Sequence, residues 1–246
     1  MTGGRQLAVV IMAAGKGKRM RDDLPKVLHE FGGKPMILWV VSLAEALQAK
    51  PVILVVGYQA DRIKAALAGH DLQYVLQADP QGTAHAVRQA APLLEGFAGD
   101  VAVLSGDVPA IALETLTGLV AKHRATGAAA TLLAAETPDP AGYGRVITSA
   151  GGHLLKVVED RDATPQEQAV KLVNTGVYVF KAEALLSSLA LVNNDNKQNE
   201  YYLPDTLYIL QERNRTVAVE KTADYRRVFG VNTKDELRKL HAEVFA

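Results

Sequence analysis

Glycines and cationic residues near the N-terminus have the composition of a phosphate-binding loop. The apolar run from Leu7 to Ala14 stops at Gly15, and Gly17 follows two residues later. Such a run is typical of a strand buried on both faces, and glycines at its end let backbone N–H groups approach an anion closely. Cationic side chains follow closely: Lys16, Lys18, Arg19, Arg21 and Lys26. The alternative is a βα turn whose basic residues are merely solvated.

This loop differs from the two best-known phosphate loops. A P-loop requires Ser or Thr after Gly-Lys, but Arg19 follows Gly17-Lys18. A dinucleotide-binding loop requires a third glycine, and Met20 stands at that position. What remains is a short Gly-x-Gly loop with an arginine, followed by Lys26 after Pro25. Because proline fixes its own φ and favours an extended residue before it, we expect Lys26 to follow a stiff turn and not to lie on a helix.

Polar residues also follow two later apolar runs. Gln77 comes after the run ending at Leu76, with Gly82 and Thr83 beyond it. A glutamine amide can pair with a pyrimidine edge through one donor and one acceptor, although a Gln near a Gly is more often a surface turn. Asp107 follows the run ending at Leu104. A carboxylate there is often only a turn former, but opposite a phosphate loop it would suit Mg²⁺.

The composition sets broad limits on function. The chain has 246 residues, 48% hydrophobic and 22% charged, which is ordinary for a globular protein with a sizeable core. Lys plus Arg equals Asp plus Glu at 27 each, so no global charge indicates nucleic acid or an anionic membrane as a partner. The absence of cysteine excludes disulfides and thiolate metal sites. No apolar run approaches the ~20 residues of a membrane span, so we expect a cytoplasmic protein.

The order of apolar patterns predicts an α/β fold. Strands and helices alternate up to about residue 138, which indicates a Rossmann-like, doubly wound, mostly parallel sheet. We expect helices at 35–49, 61–68, 83–94 (with Thr83 as a possible N-cap), 112–124, 202–213 and 234–244. From about residue 139, short strands at 142–146, 153–159 and 171–180 predict an antiparallel lobe inserted against the main sheet. Ligands of such sheets bind beyond the carboxyl ends of the strands.

Several segments together resemble the sugar nucleotidyltransferases. The resemblance lies in Ala13-Ala14-Gly15-Lys16-Gly17-Lys18-Arg19-Met20, Leu24-Pro25-Lys26-Val27-Leu28 and Gly33-Lys34-Pro35-Met36. Within that family, three further segments are similar to the uridyltransferase domain of bacterial bifunctional N-acetylglucosamine-1-phosphate uridyltransferase/glucosamine-1-phosphate acetyltransferases: 76–86, 143–145 and 200–205. Ser105 is a departure, because the family often has an aromatic residue there.

The resemblance implies a set of site residues. Arg19 and Lys26 would be catalytic, and Asp107 and Asn232 would hold Mg²⁺, although an Asn before a helix is also a common N-cap. Substrate-binding residues would be Met12, Ala13, Ala14, Gly15, Lys26, Gln77, Gly82, Thr83, Gly106, Gly144, Glu159, Asn174 and Asn232. His85 is interpreted as a packing residue, and the tyrosines of 200–205 are expected behind the sugar pocket.

The resemblance also implies a fold type and a reaction. The fold would be of the nucleotide-diphospho-sugar transferase type, as one domain over 1–246. About 5–138 would bind the nucleotide, about 139–230 the sugar, and 233–246 would form a C-terminal helix. The reaction would join UTP and N-acetylglucosamine-1-phosphate into UDP-N-acetylglucosamine and pyrophosphate. The family's acetyltransferase domain is built from hexapeptide repeats, which do not occur in this sequence, so we expect no acetyl transfer.

Two alternatives remain open from the sequence. One is a nucleotidyltransferase of the same fold that uses another sugar-1-phosphate or another nucleoside triphosphate. The other is a non-catalytic nucleotide-sugar sensor, although a sensor would not need to keep the implied metal ligands. The sequence does not distinguish a monomer from a small homo-oligomer.

Overall fold

A computed structural model describes residues 5–245 of the chain. Within that range the strands are β1 (Leu7–Ala13), β2 (Glu30–Phe31), β3 (Lys34–Pro35), β4 (Val52–Val56), β5 (Gln73–Leu76), β6 (Asp100–Ser105), β7 (Ala130–Glu136), β8 (Arg145–Thr148), β9 (Leu154–Val158), β10 (Leu172–Lys181) and β11 (Val217–Thr222). The helices are α1 (Met36–Ala46), α2 (Ala60–Ala66), α3 (Thr83–Arg88), α4 (Ala91–Leu94), α5 (Leu113–Thr126), α6 (Pro165–Gln168), α7 (Ala182–Leu189), α8 (Asp205–Glu212) and α9 (Lys234–Phe245). One-turn 3₁₀ segments lie at Lys18–Met20, Lys26–Leu28 and Tyr225–Arg227.

The main sheet has helices on both faces. Its strand order is β11-β7-β10-β6-β1-β4-β5. Strand β1 pairs in parallel with β4 and β6, so both of its edges are covered. Side chains alternate between the two faces, and Ala8 and Val10 join one apolar cluster while Val9 and Ile11 join the other. This two-sided burial explains why β1 is apolar throughout and confirms the α/β fold class.

The part of the chain after residue 139 is more closely joined to the sheet than the sequence predicts. The strand expected at 171–180 is β10, which lies inside the main sheet between β6 and β7 and runs antiparallel to both. The β8–β9 hairpin extends from it through the pairing of Arg145 with Val173. The inserted lobe therefore shares a strand with the main sheet and does not form a separate sheet.

The helix predicted after Gly82 differs from the structure in two ways. The helix expected at 83–94 is divided into α3 and α4. The prediction that Thr83 caps this helix is wrong, because Gly82 occupies the N-cap position. The hydroxyl of Thr83 instead accepts a hydrogen bond from the backbone N–H of Leu203 at 2.9 Å. A contact across the fold has replaced the local cap.

The C-terminal helix returns the chain to the first loop. Leu240 of α9 packs in a cluster with Met20, Phe31 and Met36. This packing brings the segment before α9, which includes Asn232, next to the loop after β1. None of the helices between residues 5 and 245 is both long and apolar enough to cross a membrane.

Gly57, just after β4, is tightly enclosed at the carboxyl edge of the sheet. A Cβ at this position would lie 2.8 Å from the carbonyl oxygen of Ala14 and 2.9 Å from that of Gln77. Both neighbours are backbone atoms of adjacent strand ends, so they have little freedom to move. We expect Gly57→Ala to lower the free energy of unfolding by about 1–3 kcal/mol in urea denaturation, as is usual for overpacking.

Gly118 provides the matched control. It lies inside α5, and a Cβ there would meet no atom within 4 Å. We expect Gly118→Ala to raise the free energy of unfolding by about 0.5–1 kcal/mol, because alanine restricts the unfolded chain more than glycine does. Equal effects of the two substitutions would contradict the close packing assigned to Gly57.

Candidate active site

A cleft opens at the carboxyl ends of β1, β5 and β6. Nine of the residues expected from the sequence line it: Met12, Ala13, Ala14, Gly15, Lys26, Gln77, Gly82, Thr83 and Asp107. Ser105 and Glu200 also line it. Gly106 is not a lining residue, but its backbone N–H donates to the carbonyl of Met12, which is one, at 2.9 Å. The cleft is thus placed where a parallel sheet presents its ligand-binding edge.

The loop after β1 is held close to Lys26. Gly17 has φ of 61°, in the left-handed region that favours glycine. A Cβ on Gly17 would lie only 2.5 Å from the Cβ of Lys26. Lys26 follows the extended Pro25, as expected, but it is the first residue of a one-turn 3₁₀ segment, so the prediction that it does not lie on a helix is wrong. The glycine therefore allows the loop to pass directly beside the lysine.

Lys26 connects the two residues expected to bind metal. Its ammonium group forms an ion pair with the carboxylate of Asp107 and donates to Oδ1 of Asn232 at 3.1 Å. The side chains of Lys26 and Asp107 are only 15% and 12% exposed. Charges that are so largely removed from water require partners, and this contact supplies them. Three segments distant in sequence meet at one point.

The carboxylate of Asp107 is fixed from several sides. The hydroxyl of Ser105 donates to Oδ1 at 2.6 Å, while Oδ2 faces Lys26. The backbone N–H of Val231 donates to the carbonyl of Asp107 at 2.9 Å. A Cβ at Gly230 would lie 3.0 Å from Oδ1, so the segment before α9 also restricts the carboxylate.

Asn232 is not the N-cap of the helix that follows it. Helix α9 begins at Lys234, and the hydroxyl of Thr233 accepts from the backbone N–H of Glu236 at 3.1 Å. Thr233 therefore provides the N-terminal cap of the helix. The amide of Asn232 donates to the carbonyl of Gly230 at 3.2 Å and turns its oxygen toward Lys26.

The donor set at this point suits a hard cation. Asp107 offers a carboxylate and Asn232 an amide oxygen, and both already lie on the single ammonium group of Lys26. Mg²⁺ is commonly bound by one or two carboxylates and completes its shell with substrate phosphates and water. Between residues 5 and 245 there is no cluster of three or more His, Asp or Glu side chains suited to a metal. The residues therefore fit an ion that takes some of its ligands from the protein and the others from substrate and water.

A second polar group lies at the start of β8, the end of β9 and inside β10. The backbone N–H of Asn174 donates to the carbonyl of Gly144 at 2.8 Å. A Cβ on Gly144 would lie 3.3 Å from Oε1 of Glu159. The amide of Asn174 donates to the hydroxyl of the buried Tyr178 at 2.7 Å. The structure thus brings together Gly144, Glu159 and Asn174.

Arg145 ties this group together. Its buried guanidinium pairs with Asp160 at 2.9 Å and donates to the carbonyl of Tyr143. Removing one partner of a buried ion pair is usually destabilising, because it leaves the other charge unpaired. The residues that flank Gly144 and Glu159 are therefore joined by one cation.

Glu159 has an unusual protonation equilibrium. Burial raises the pKa of its carboxyl group to about 7, and the nearby carboxylates of Asp205, Asp162 and Glu200 add to the rise. Burial likewise raises the pKa of Asp205 to about 6. Near neutral pH, Glu159 is therefore partly protonated and able to donate a hydrogen bond as well as to accept one.

Three residues have positions or contacts that the sequence analysis does not predict. Arg19 lies exposed on the 3₁₀ turn Lys18–Met20, outside the cleft lining. His85, interpreted as a packing residue, makes a 2.8 Å contact through Nδ1 with the side chain of Gln77. The sequence also gave no role to the Ser105 hydroxyl. Ser105 and Asp107 are two residues apart at a strand end, and alternate residues of a strand point to the same side. This spacing was the feature of the sequence that could have indicated their contact.

The chain is similar in sequence to several known proteins. The family model described as "Nucleotidyl transferase" matches residues 8–225. A protein named "Bifunctional protein GlmU" from Pelotomaculum thermopropionicum is 45% identical over 234 residues, covering 95% of this chain and 51% of that protein. The protein of the same name from Bacillus velezensis is 44% identical over 236 residues, covering 96% of this chain and 51% of that protein. The chain spans about half the length of these relatives.

A solved structure shows the same fold. It is described as a putative glucose-1-phosphate thymidylyltransferase from Bacillus anthracis, in complex with sucrose. Its TM-score to this chain is 0.77, with 17% sequence identity, over 97% of this chain and 95% of that one.

The raised pKa of Glu159 predicts a pH-dependent stability. The folded protein holds this proton up to about pH 7, whereas the unfolded chain releases it near the ordinary glutamate value of 4.5. Stability from this group is therefore present at low pH and is lost as pH rises toward and through 7. We expect Glu159→Gln to remove up to about 3 kcal/mol of the fall in unfolding free energy between pH 5 and pH 8.

The measurement is urea denaturation across that pH range. Glu95→Gln is the control, because Glu95 is exposed in a loop far along the chain from this group. The raised pKa of Asp205 also makes the protein less stable as pH rises, and this contribution is present in every variant. An unchanged pH profile in Glu159→Gln would show that the carboxyl group titrates as it does in water.

Proposed function

The chain belongs to the nucleotidyl transferase family, and on that premise we propose that it transfers the uridylyl group of UTP to N-acetylglucosamine-1-phosphate. The products are UDP-N-acetylglucosamine and pyrophosphate. The main support is the geometry of the cleft, in which a glycine loop, Lys26 and Asp107 stand at one edge and Gln77 and Gly82 at another. The names of the relatives at 44–45% identity support the same choice.

The reaction needs no nucleophile from the protein. An oxygen of the sugar phosphate attacks the α-phosphorus of UTP, and the bond from the α-phosphorus to the bridging oxygen of the leaving pyrophosphate breaks. The attacking oxygen is already anionic, so catalysis consists of positioning and charge neutralisation. The backbone N–H groups after β1 bind phosphate oxygens, and the ammonium of Lys26 neutralises the oxygens that join the two substrates. Arg19, which lies exposed outside the cleft lining, would neutralise charge on the β- and γ-phosphates of UTP.

In this proposal Asp107 and Asn232 would hold Mg²⁺, which would supply neutralisation of the negative charge of the substrate phosphates. In the free protein the ammonium group of Lys26 contacts Oδ2 of Asp107 and Oδ1 of Asn232. These two oxygens would therefore lie near a positive charge both with and without the ion. The hydrogen bond from the Ser105 hydroxyl to Oδ1 restricts the orientation of the Asp107 carboxylate.

The group formed by Gly144, Glu159 and Asn174 binds the sugar. Its amide and carboxyl groups suit hydroxyl and acetamido partners, and the raised pKa of Glu159 lets its carboxyl group donate. Residues from about 5 to 138 thus act on the nucleotide, and residues from about 139 to 230 act on the sugar. The proposal concerns only the region that this chain shares with its relatives, which is about half of their length.

Pyrophosphate release tests the proposed reaction. UTP and Mg²⁺ are supplied with N-acetylglucosamine-1-phosphate, glucosamine-1-phosphate or glucose-1-phosphate. We expect kcat/KM to be at least about 10²-fold higher for the acetylated sugar, because an unacetylated one leaves buried polar groups of the site unpaired. Excess EDTA should abolish turnover.

Each other outcome assigns a different function. A preference for glucose-1-phosphate or for another nucleoside triphosphate would place the chain with nucleotidyltransferases of the same fold but different substrates. Binding of UDP-N-acetylglucosamine without any pyrophosphate release would favour a sensor. Full activity in EDTA would reject the role given to Asp107 and Asn232.

A further inference from the structure

The side-chain amide of Gln77 is held in one orientation by the protein. Gln77 is only 4% exposed, although it lines the cleft. Its nitrogen lies 2.8 Å from Nδ1 of His85 and donates to the carbonyl of Gly82 at 3.3 Å. An amide nitrogen carries two hydrogens, so both are committed to these two partners. Within residues 5–245, no hydrogen-bond donor reaches the amide oxygen of Gln77. The oxygen is therefore the part of the amide that remains for a ligand.

This orientation depends on the tautomer of His85. The ring lies between two amides, with Nε2 at 3.2 Å from the side-chain nitrogen of Gln89. That nitrogen also donates to the backbone carbonyl of His85 at 3.1 Å. A neutral imidazole has a single acceptor nitrogen, and the shorter contact, to Gln77, assigns it to Nδ1. Burial lowers the pKa of the His85 ring, and the charge of Arg88 adds to this, which favours the neutral form of the ring.

We propose that His85 is a positioning residue that sets the nucleobase choice of this site, because its Nδ1 accepts from the Gln77 amide and turns the amide oxygen toward the base. An acceptor at that place pairs with the N3–H of uracil. It repels the N3 of cytosine, which is itself an acceptor. The inference rests on the proposed function, since it assumes that a pyrimidine nucleotide occupies the cleft beside Gln77.

The selectivity follows from unpaired polar groups. A site that holds a buried acceptor toward a donor on the correct substrate rejects an analogue that presents an acceptor instead. Without the contact from His85, the amide of Gln77 can rotate by 180° and offer its NH₂ group to cytosine. Loss of His85 should therefore reduce selectivity more than it reduces turnover with UTP.

Three variants test this by kinetics. His85→Phe keeps a ring of similar size but removes the acceptor, and His85→Asn places an amide oxygen close to the position of Nδ1. His70→Phe is the matched control, because His70 contacts the exposed Glu45 and lies outside the cleft lining. The quantity compared is the ratio of kcat/KM for UTP to that for CTP, with N-acetylglucosamine-1-phosphate as the acceptor.

We expect His85→Phe to lower this ratio at least tenfold, while His85→Asn and His70→Phe stay within about threefold of the unsubstituted protein. A folded His85→Phe variant with an unchanged ratio would overturn the proposal, because packing alone would then explain the residue. The same ratio in His85→Asn as in His85→Phe would also contradict it.

Nitrogen NMR of the unsubstituted protein tests the tautomer directly. The expected spectrum at pH 7.5 shows His85 neutral, with a proton on Nε2 and none on Nδ1. A proton on Nδ1 would overturn the proposal. This result is decisive even if His85→Phe fails to fold. It also separates the two hypotheses: absence of turnover with UTP would reject the proposed function, whereas the NMR spectrum concerns His85 alone.

Discussion

The arrangement of the site depends on the contact of Lys26 with Asp107 and Asn232. These residues come from the loop after β1, the end of β6 and the segment before α9. The charges of Lys26 and Asp107 are largely removed from water, so separating these two residues would be energetically costly. The apolar packing of Leu240 against Met20 and Phe31 supports the same convergence from behind. The contact of Lys26 with Asp107 and Asn232 therefore holds three segments together at the carboxyl edge of the sheet.

Both ends of the cleft use the same physical device, in which a neighbour fixes the orientation of a polar side chain. Ser105 turns the carboxylate of Asp107, and His85 turns the amide of Gln77. Groups held in this way do not have to reorganise when a charged substrate arrives, which is the basis of electrostatic preorganisation. The acidic group around Glu159 differs, because burial there raises the pKa of Glu159 and makes the charge of this group sensitive to pH.

The fold class could be predicted because it depends on local patterns, whereas most of the residues that line the cleft were implied by the resemblance to the sugar nucleotidyltransferases. The apolar run of β1, the glycines after it and the β-α alternation are all visible over short windows. The errors come from long-range contacts. Thr83 bonds to Leu203 and not to its own helix, and β10 enters the main sheet through pairing with β6 and β7. The orientation of Gln77 could not be inferred, because it depends on how a helix packs against a strand end.

The most direct test of this account is a double-mutant cycle between Lys26 and Asp107. Lys26→Met and Asp107→Asn keep the approximate shape of each side chain and remove its charge, and urea denaturation gives the free energy of unfolding of each single variant and of the double variant. If the ion pair holds the segments together, the double variant should lose less stability than the sum of the two single losses, by about 1–3 kcal/mol. Losses that add to within about 0.5 kcal/mol would show that the two residues act independently and would contradict the account.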